Sequence, residues 1–111
     1  MRTDTLFYQI FQTFPQLVFA LVGRPVVAGY QFTSEEIKEK SFRFDGIFAP
    51  PPDRLDQPIF FLEVQFQYNP NFYWEFLSEI FLYLNQKKPV QDWIAVAIFP
   101  NQAVDVKNLS Q

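Results

Sequence analysis

The chain contains no cysteine and no histidine among its 111 residues. Without cysteine, disulfide bonds, zinc–thiolate sites and cysteine nucleophiles are all excluded. Without histidine, the chain lacks the commonest general base and the usual ligand of zinc and copper. Any metal site must therefore be built from oxygen ligands, which favour Mg²⁺ or Mn²⁺.

Glycine and positive charge are also scarce. The sequence has only 3 glycines, so it lacks a glycine-rich loop that could cradle the phosphates of a nucleotide. Its formal net charge is −3, so it also lacks the basic surface of proteins that coat DNA. This composition argues against tight non-specific binding along nucleic acid, but it leaves room for a local active site.

Long uninterrupted hydrophobic runs are missing as well. The apolar stretch at residues 6–22 is broken by Gln9, Gln12, Pro15 and Gln16. It therefore predicts neither a signal peptide nor a membrane span. We expect a cytoplasmic protein that makes no membrane contact.

Aromatic side chains, in contrast, are abundant. Aromatic residues make up 20% of the chain, and phenylalanine alone occurs 15 times. This content argues against disorder, and the length allows one hydrophobic core rather than two. We predict a single domain at residues 1–100, followed by a polar C-terminal tail at 101–111.

The hydrophobic periodicity predicts the order helix, strand, strand, strand, helix, strand. A first helix follows an N-cap at residues 3–5 and is broken or kinked at Pro15. The charged segment 33–40 is expected to be a loop, a turn or an exposed strand end. The remaining predicted elements are strands at 25–32, 41–48 and 59–66, a helix at 72–87 capped by residues 69–71, and a short buried strand at 93–99.

Two carboxylates stand out on the predicted strands. Asp45 lies on the second strand and Glu63 on the third, and Gln65 follows Glu63 on the same side. If these strands pair as a hairpin, the two acids converge on one side of an otherwise apolar sheet. Two carboxylates and an amide in that setting suggest a site for a hard metal ion.

Each acid also has a purely structural interpretation. Asp45 could be satisfied by backbone amides near Gly46 or by Arg43. Glu63 lies in an apolar run, where an uncompensated charge would cost several kcal/mol, but an ion pair with Arg43 or Lys40 would compensate it. Both interpretations stay open on the sequence alone.

Other polar and aromatic residues are explained more simply. Gln65 and Gln67 fit the polar face of a half-exposed strand. Three aromatic residues of the second helix could stack on nucleic-acid bases, but their helical spacing among many phenylalanines favours packing instead. These residues are Tyr73, Trp74 and Tyr83.

Several sequence strings, taken with the predicted element order, resemble the PD-(D/E)XK nuclease superfamily. The closest resemblance is to its Rpn-like recombination-promoting nuclease or putative-transposase group, and within it to a cyanobacterial subgroup carried as a domain of unknown function. The strings are Asp-Thr-Leu-Phe-Tyr at 4–8, Arg-Phe-Asp-Gly at 43–46, Glu-Val-Gln at 63–65 and the aromatic run at 72–84.

The resemblance implies a restriction-endonuclease-like αβββαβ core, an α/β (α+β) fold with a mixed four-stranded sheet flanked by helices. It implies that Asp45, Glu63 and the backbone carbonyl of Val64 bind Mg²⁺ or Mn²⁺. Gln65 takes the place of the usual lysine, and it could orient a water but not deprotonate it. Lys40 and Arg43 would contact the substrate.

The resemblance also implies a function, namely metal-dependent hydrolysis of DNA phosphodiester bonds in recombination or transposition, with a homodimer as the assembly. Glu75 and Asn85 stand where relatives tend to carry arginine, and Glu75 would repel phosphate. The alternative function is therefore a catalytically weak or inactive nuclease-fold domain that serves as an interaction or assembly module.

Overall fold

The computed structural model describes residues 9–33, 36–37, 42–43, 46–65 and 67–99, with only the backbone described at 36–37 and 42–43. Helix α1 is described at residues 9–13, and the other helices are α2 (Leu17–Val22) and α3 (Phe72–Lys87). The strands are β1 (Gln31–Thr33), β2 (Glu36–Ile37), β3 (Phe42–Arg43), β4 (Gly46–Ala49), β5 (Ile59–Val64) and β6 (Trp93–Ile98).

Four of the strands form one mixed sheet in the order β1-β4-β5-β6. Strand β4 is antiparallel to both β1 and β5, whereas β5 and β6 run parallel. The parallel pair is joined by α3, since parallel neighbours need a long crossover connection. Strands β2 and β3 form a separate antiparallel ladder that lies next to α3. The predicted mixed four-stranded sheet flanked by helices is confirmed.

Each face of the sheet carries its own hydrophobic core, because successive strand residues point to opposite faces. On one face, Phe48, Phe60 and Leu62 pack with buried side chains of α1 and α2, including Phe11 and Phe19. The opposite face is covered by α3. Its core consists of Ile47, Ile59, Phe61, Phe72, Phe76 and Ile80.

The helix predicted at 72–87 and the strand predicted at 93–99 are both confirmed, and their bounds agree closely with the prediction. Helix α3 spans Phe72–Lys87, as its apolar periodicity predicts, and β6 spans Trp93–Ile98. The predicted break at Pro15 is also confirmed, because helical residues resume only at Leu17. Helix α2 then ends at Gly23, whose φ of 69° is the left-handed conformation that glycine adopts at helix ends.

The three earlier strands differ from their predicted bounds. The strand predicted at 25–32 is reduced to Gln31–Thr33, because a turn at residues 28–29 places Gly29 at φ 90°. The single strand predicted at 41–48 is divided into two strands with different partners: Phe42–Arg43 pairs with β2, and Gly46–Ala49 pairs with β1 and β5. The third strand ends at Val64 instead of residue 66.

No helix in the described part of the chain has the length and apolarity needed to cross a lipid bilayer. The longest helix among these residues is α3, with 16 residues. A membrane-spanning helix needs about 20 consecutive apolar residues.

Tyr30 links the α1–α2 core to the loop that precedes β5. Its ring is 8% exposed and packs edge-on against Phe19, while its hydroxyl donates a hydrogen bond to the carbonyl of Pro58. Burial is the main cause that raises the pKa of Tyr30 above its ordinary value of 10.0. The neutral phenol therefore contributes stability that is complete below about pH 10 and is lost as the pH rises through the folded-state pKa.

We expect Tyr30→Phe to lower the free energy of unfolding by about 1 kcal/mol at pH 7, because it removes one buried hydrogen bond. Above about pH 10 the variant should lose stability less steeply than the wild type. Urea unfolding between pH 7 and pH 11 measures both effects. Tyr68→Phe is the control, since Tyr68 is 48% exposed. An equal alkaline loss of stability in wild type and Tyr30→Phe would contradict the assignment.

Candidate functional site

Glu63 lies near the carboxyl end of β5, in register with Ala97 of β6. It is half-buried in a strand whose other residues are all buried. Strand alternation places its side chain on the same face as Ile59 and Phe61, which pack under α3. The sequence-predicted carboxylate therefore lies on the α3 side of the sheet, at the end of its second central strand.

Asp45 lies outside the described residues, and so does Lys40. The backbone of Arg43 is described and is in register with Glu36 of β2. The residue after Asp45, Gly46, is in register with Leu62, the residue before Glu63. The proximity of Asp45 and Glu63 therefore stays a prediction. The nearest described pair of residues is Gly46 and Leu62, which are in register.

Gly46 is closely packed on the face opposite to α3. A Cβ atom built at this position would lie 2.0 Å from Cε1 of Phe32. Cβ atoms do not approach other atoms so closely, so the ring of Phe32 fills the space that a side chain at position 46 would need. The strand immediately after Asp45 is thus held by packing that only glycine permits.

Val64 and Gln65 continue the chain beyond Glu63. Val64 is buried and in register with Ile98, and the backbone N–H of Gln65 donates to the carbonyl of Ile98 at 2.9 Å. The side-chain amide of Gln65 donates to the backbone carbonyl of Gln67. This hydrogen bond fixes the amide nitrogen locally, and the amide oxygen is the group that remains suited to accept from a water.

Helix α3 runs antiparallel to the strands that it covers. At its start the ring of Phe72 lies 5.3 Å from that of Phe99, just after β6. Later in the helix the ring of Phe81 lies 6.2 Å from that of Trp93, at the beginning of β6. The first half of α3 therefore covers the carboxyl ends of β5 and β6, where Glu63 is located.

Glu79 of α3 is a second acidic residue on this face of the sheet, and it is not one of the two acids predicted from the strand pattern. It is 8% exposed. The rings of Tyr83 and Phe61 pack 5.1 Å apart, and Glu79 precedes Tyr83 by one helical turn. Glu79 precedes Tyr83 along α3, and Glu63 follows Phe61 along β5, in each case by roughly 6–7 Å. Because α3 runs antiparallel to β5, both glutamates are displaced from the Tyr83–Phe61 contact towards the same end of the sheet.

The signal for Glu79 was present in the sequence. It is spaced seven residues from Phe72 and three from Phe76, so it falls on the apolar stripe of α3 rather than on the polar side. A carboxylate on such a stripe is rarely buried without compensation. Both Glu63 and Glu79 also take part in other interactions within the fold.

The first turn of α3 is held by Asn69 rather than by the N-cap residue. Asn71 occupies the N-cap position but makes no side-chain capping bond. Instead, Oδ1 of Asn69 accepts from the backbone N–H of Asn71 at 2.9 Å, and Nδ2 donates to Oε1 of Glu75 at 3.0 Å. Glu75 therefore has a structural role at the helix start, where negative charge is favourable.

Two of the three aromatic residues considered for base stacking are packing residues. Tyr83 lies edge-on against Phe61, and Tyr73 lies edge-on against Phe72. Trp74 differs, because 75% of its surface is exposed.

The opposite end of the sheet carries a separate group of charges. Arg54 and Asp56 form a surface ion pair, with Nε 3.1 Å from Oδ1, and Gln57 also donates to Asp56. These hydrogen bonds, from Arg54 first, lower the pKa of Asp56 to about 2. Asp56 lines a groove of about 400 Å³ together with Arg24 and Asp92, near the beginning of β6 rather than near Glu63.

The described residues do not by themselves complete a metal site. Within residues 9–33, 36–37, 42–43, 46–65 and 67–99, no group of three or more acidic, histidine or cysteine residues is placed to hold a metal ion. Glu63 and Glu79 supply only oxygen donors, as expected for a hard divalent cation. This end of β5 can therefore supply oxygen ligands, and Asp45 would have to complete them.

The fold and this acidic strand end define a mixed α/β domain with carboxylates at the end of a parallel strand pair. The chain belongs to the family described as "Protein of unknown function (DUF2887)", whose model matches residues 3–111. No curated protein and no solved structure gave a significant match.

Proposed function

We propose that the chain is a metal-dependent DNA endonuclease of the PD-(D/E)XK superfamily, in its Rpn-like group, and that it acts in recombination or transposition. The observation that carries the proposal is Glu63, a half-buried carboxylate in an otherwise buried apolar strand. Its neighbour Leu62 is in register with the residue that follows Asp45. One further pair in the same register would set Asp45 opposite Glu63.

In this proposal, Asp45, Glu63 and the backbone carbonyl of Val64 would hold Mg²⁺ or Mn²⁺. The cation would lower the pKa of a coordinated water and offset the charge of the scissile phosphodiester. Gln65 accepts a hydrogen bond from the attacking water through its amide oxygen and so orients it. Lys40 and Arg43 contact the phosphate backbone. The contact with DNA is therefore local, in keeping with a net charge of −3, which provides no extended basic surface.

A second candidate function is supported by a different observation. Gln65 cannot act as a base, and its amide nitrogen is already engaged by Gln67. Two large apolar side chains of α3 are exposed, Trp74 at 75% and Phe81 at 56%. Exposed apolar surface of this kind favours a nuclease-fold domain that serves as an interaction or assembly module.

A plasmid-nicking assay with Mg²⁺ or Mn²⁺ distinguishes the two functions. We expect the wild type to nick supercoiled DNA only with the cation, and Asp45→Ala to reduce the rate at least about 100-fold because a ligand is lost. Asp53→Ala is the matched control, since Asp53 is an exposed acid in the β4–β5 connection. Equal rates in wild type and Asp45→Ala would remove the catalytic proposal and leave the assembly module.

A further inference from the structure

Strand β6 is the last strand of the sheet, so one of its edges faces away from β5. The backbone N–H of Ile59 donates to Asp92 at 2.8 Å, and that of Gln65 donates to Ile98 at 2.9 Å. In a parallel ladder, the N–H and C=O of one residue point to the same side, and that side alternates along the strand. Every second residue of β6, in step with Asp92 and Ile98, therefore turns both groups towards β5. The backbone groups of Trp93, Ala95 and Ala97 face outward, and within the described residues no strand pairs with them.

Among the residues that the structure describes, this edge lacks the usual protection against pairing with another strand. Natural edge strands carry lysine, proline or a bulge that blocks edge-to-edge association. Strand β6 reads Trp-Ile-Ala-Val-Ala-Ile, with no charge, no proline and an unbroken register to β5 over six residues. As far as the described residues go, its backbone can therefore serve as a template for a further strand.

An apolar surface of α3 continues from this edge. A groove of about 340 Å³ runs along β6 and is lined by Val22, Tyr73, Phe76 and Leu77 beside Ala95. Further along the helix, Phe81 is 56% exposed and contacts Trp93. The uncharged stripe of α3 beside β6 consists of Tyr73, Leu77, Phe81 and Leu84, spaced by three or four residues.

We propose that a second copy of this chain docks on the free edge of β6, so that two sheets join into one eight-stranded sheet. A two-fold axis through Ala95 pairs Trp93 of one copy with Ala97 of the other, and each such pair exchanges two N–H···O bonds. The same axis sets the two α3 helices side by side on one face, with their apolar stripes in contact.

Charge and shape favour a second copy over another occupant. Each copy carries a net charge of −3, and this face has no charged residue from Trp93 to Phe99 or on the α3 stripe. Two like-charged copies therefore meet here without repulsion across the contact. A single added strand from another protein would satisfy the backbone of β6 but would leave the α3 stripe exposed to water.

The contact is small, because it consists of one strand pair and one helix stripe. Interfaces that bury less than about 1,200 Å² in total are characteristic of weak or transient complexes. We therefore expect a dissociation constant on the order of 1–100 μM. The inference does not depend on the nuclease proposal, since it concerns only β6 and α3.

Hydrogen exchange of the full chain tests which occupant covers the edge. We expect the amides of Ala95 and Ala97 to exchange rapidly at low micromolar concentration and to become protected as the concentration rises. The amides of Ile94 and Val96, which face β5, should be protected throughout. Protection of Ala95 and Ala97 at every concentration would overturn the proposal, because another segment of the same chain would then cover β6. Rapid exchange at every concentration would overturn it as well.

Sedimentation velocity tests the dimer through substitutions. The average mass of the wild type should rise from 13.2 kDa towards twice that value as the concentration increases. Ala95→Pro removes an outward N–H but no bond to β5, and Phe81→Lys places a charge on the stripe; each should weaken dimerisation at least tenfold. Phe14→Lys, at a phenylalanine that is 50% exposed before α2, is the matched control and should dimerise like the wild type.

Phe81→Lys keeps the test decisive if Ala95→Pro fails to fold. A wild type that stays at 13.2 kDa up to several hundred micromolar would overturn the proposal. So would a folded Phe81→Lys variant that dimerises as well as the wild type. An equal effect of Phe14→Lys and Phe81→Lys would point to non-specific association and would also overturn it.

Discussion

Glu63→Gln is expected to lower the rate of cation-dependent DNA nicking by at least about 100-fold, because an amide replaces a ligand carboxylate. Glutamine keeps the length of the side chain and one oxygen acceptor, so the packing under α3 should be retained. The same substitution should weaken Mn²⁺ binding, which isothermal titration calorimetry measures independently of catalysis. Loss of both properties together assigns the cation to Glu63.

Glu75→Gln is the control for the loss of one acidic group on the same side of the sheet. Glu75 is exposed, and its Oε1 accepts from Asn69 at the start of α3. It should bind Mn²⁺ like the wild type and should nick DNA at least as fast, because the substitution removes a charge that would repel phosphate. If Glu63→Gln retains wild-type nicking and Mn²⁺ binding, Glu63 is a structural residue and the metal assignment is wrong.

Phe61→Ala is expected to lower the free energy of unfolding by about 3–5 kcal/mol, the range measured for buried phenylalanines. Phe61 is fully buried on the central strand β5, and its ring contacts Tyr83 of α3 and Trp93 of β6. Truncation therefore opens a cavity between three elements. Domains of this size have a total stability of about 5–15 kcal/mol, so the variant should be close to unfolding.

Chemical denaturation at low protein concentration measures this loss without a contribution from self-association. Phe14→Ala is the matched control, since its ring is 50% exposed. It should cost less than about 1 kcal/mol. Similar losses in the two variants would mean that the core between the sheet and α3 is not packed as described.

The later half of the fold could be predicted from the sequence because its signals are local. The apolar stripe at 72–87 and the uncharged run at 93–98 each specify their element with little help from tertiary structure. The earlier strands could not be bounded in the same way. Gly29 adopts φ 90° within an apolar stretch, and residues 42–43 and 46–49 pair with different strands, which alternation alone does not reveal.

The strand position of Glu63 was predicted from the sequence, whereas its pairing with Asp45 in a metal site stays a prediction. The sequence correctly places Glu63 on a central strand, with Gln65 directly after the strand end. The sequence pattern did not indicate Glu79 as a site residue, because a charged residue in a helix is normally assigned to the solvent side. Only the packing of α3, with Tyr83 against Phe61, shows that Glu79 lies on the sheet side.

The most direct test of the metal assignment is an anomalous-difference map from crystals grown or soaked with Mn²⁺. We expect a peak at the carboxyl end of β5, with a carboxylate oxygen of Asp45 and one of Glu63 each about 2.0–2.2 Å away. A map without a peak there, or carboxylates of Asp45 and Glu63 separated by more than about 8 Å, would contradict it, because one ion cannot bridge that distance.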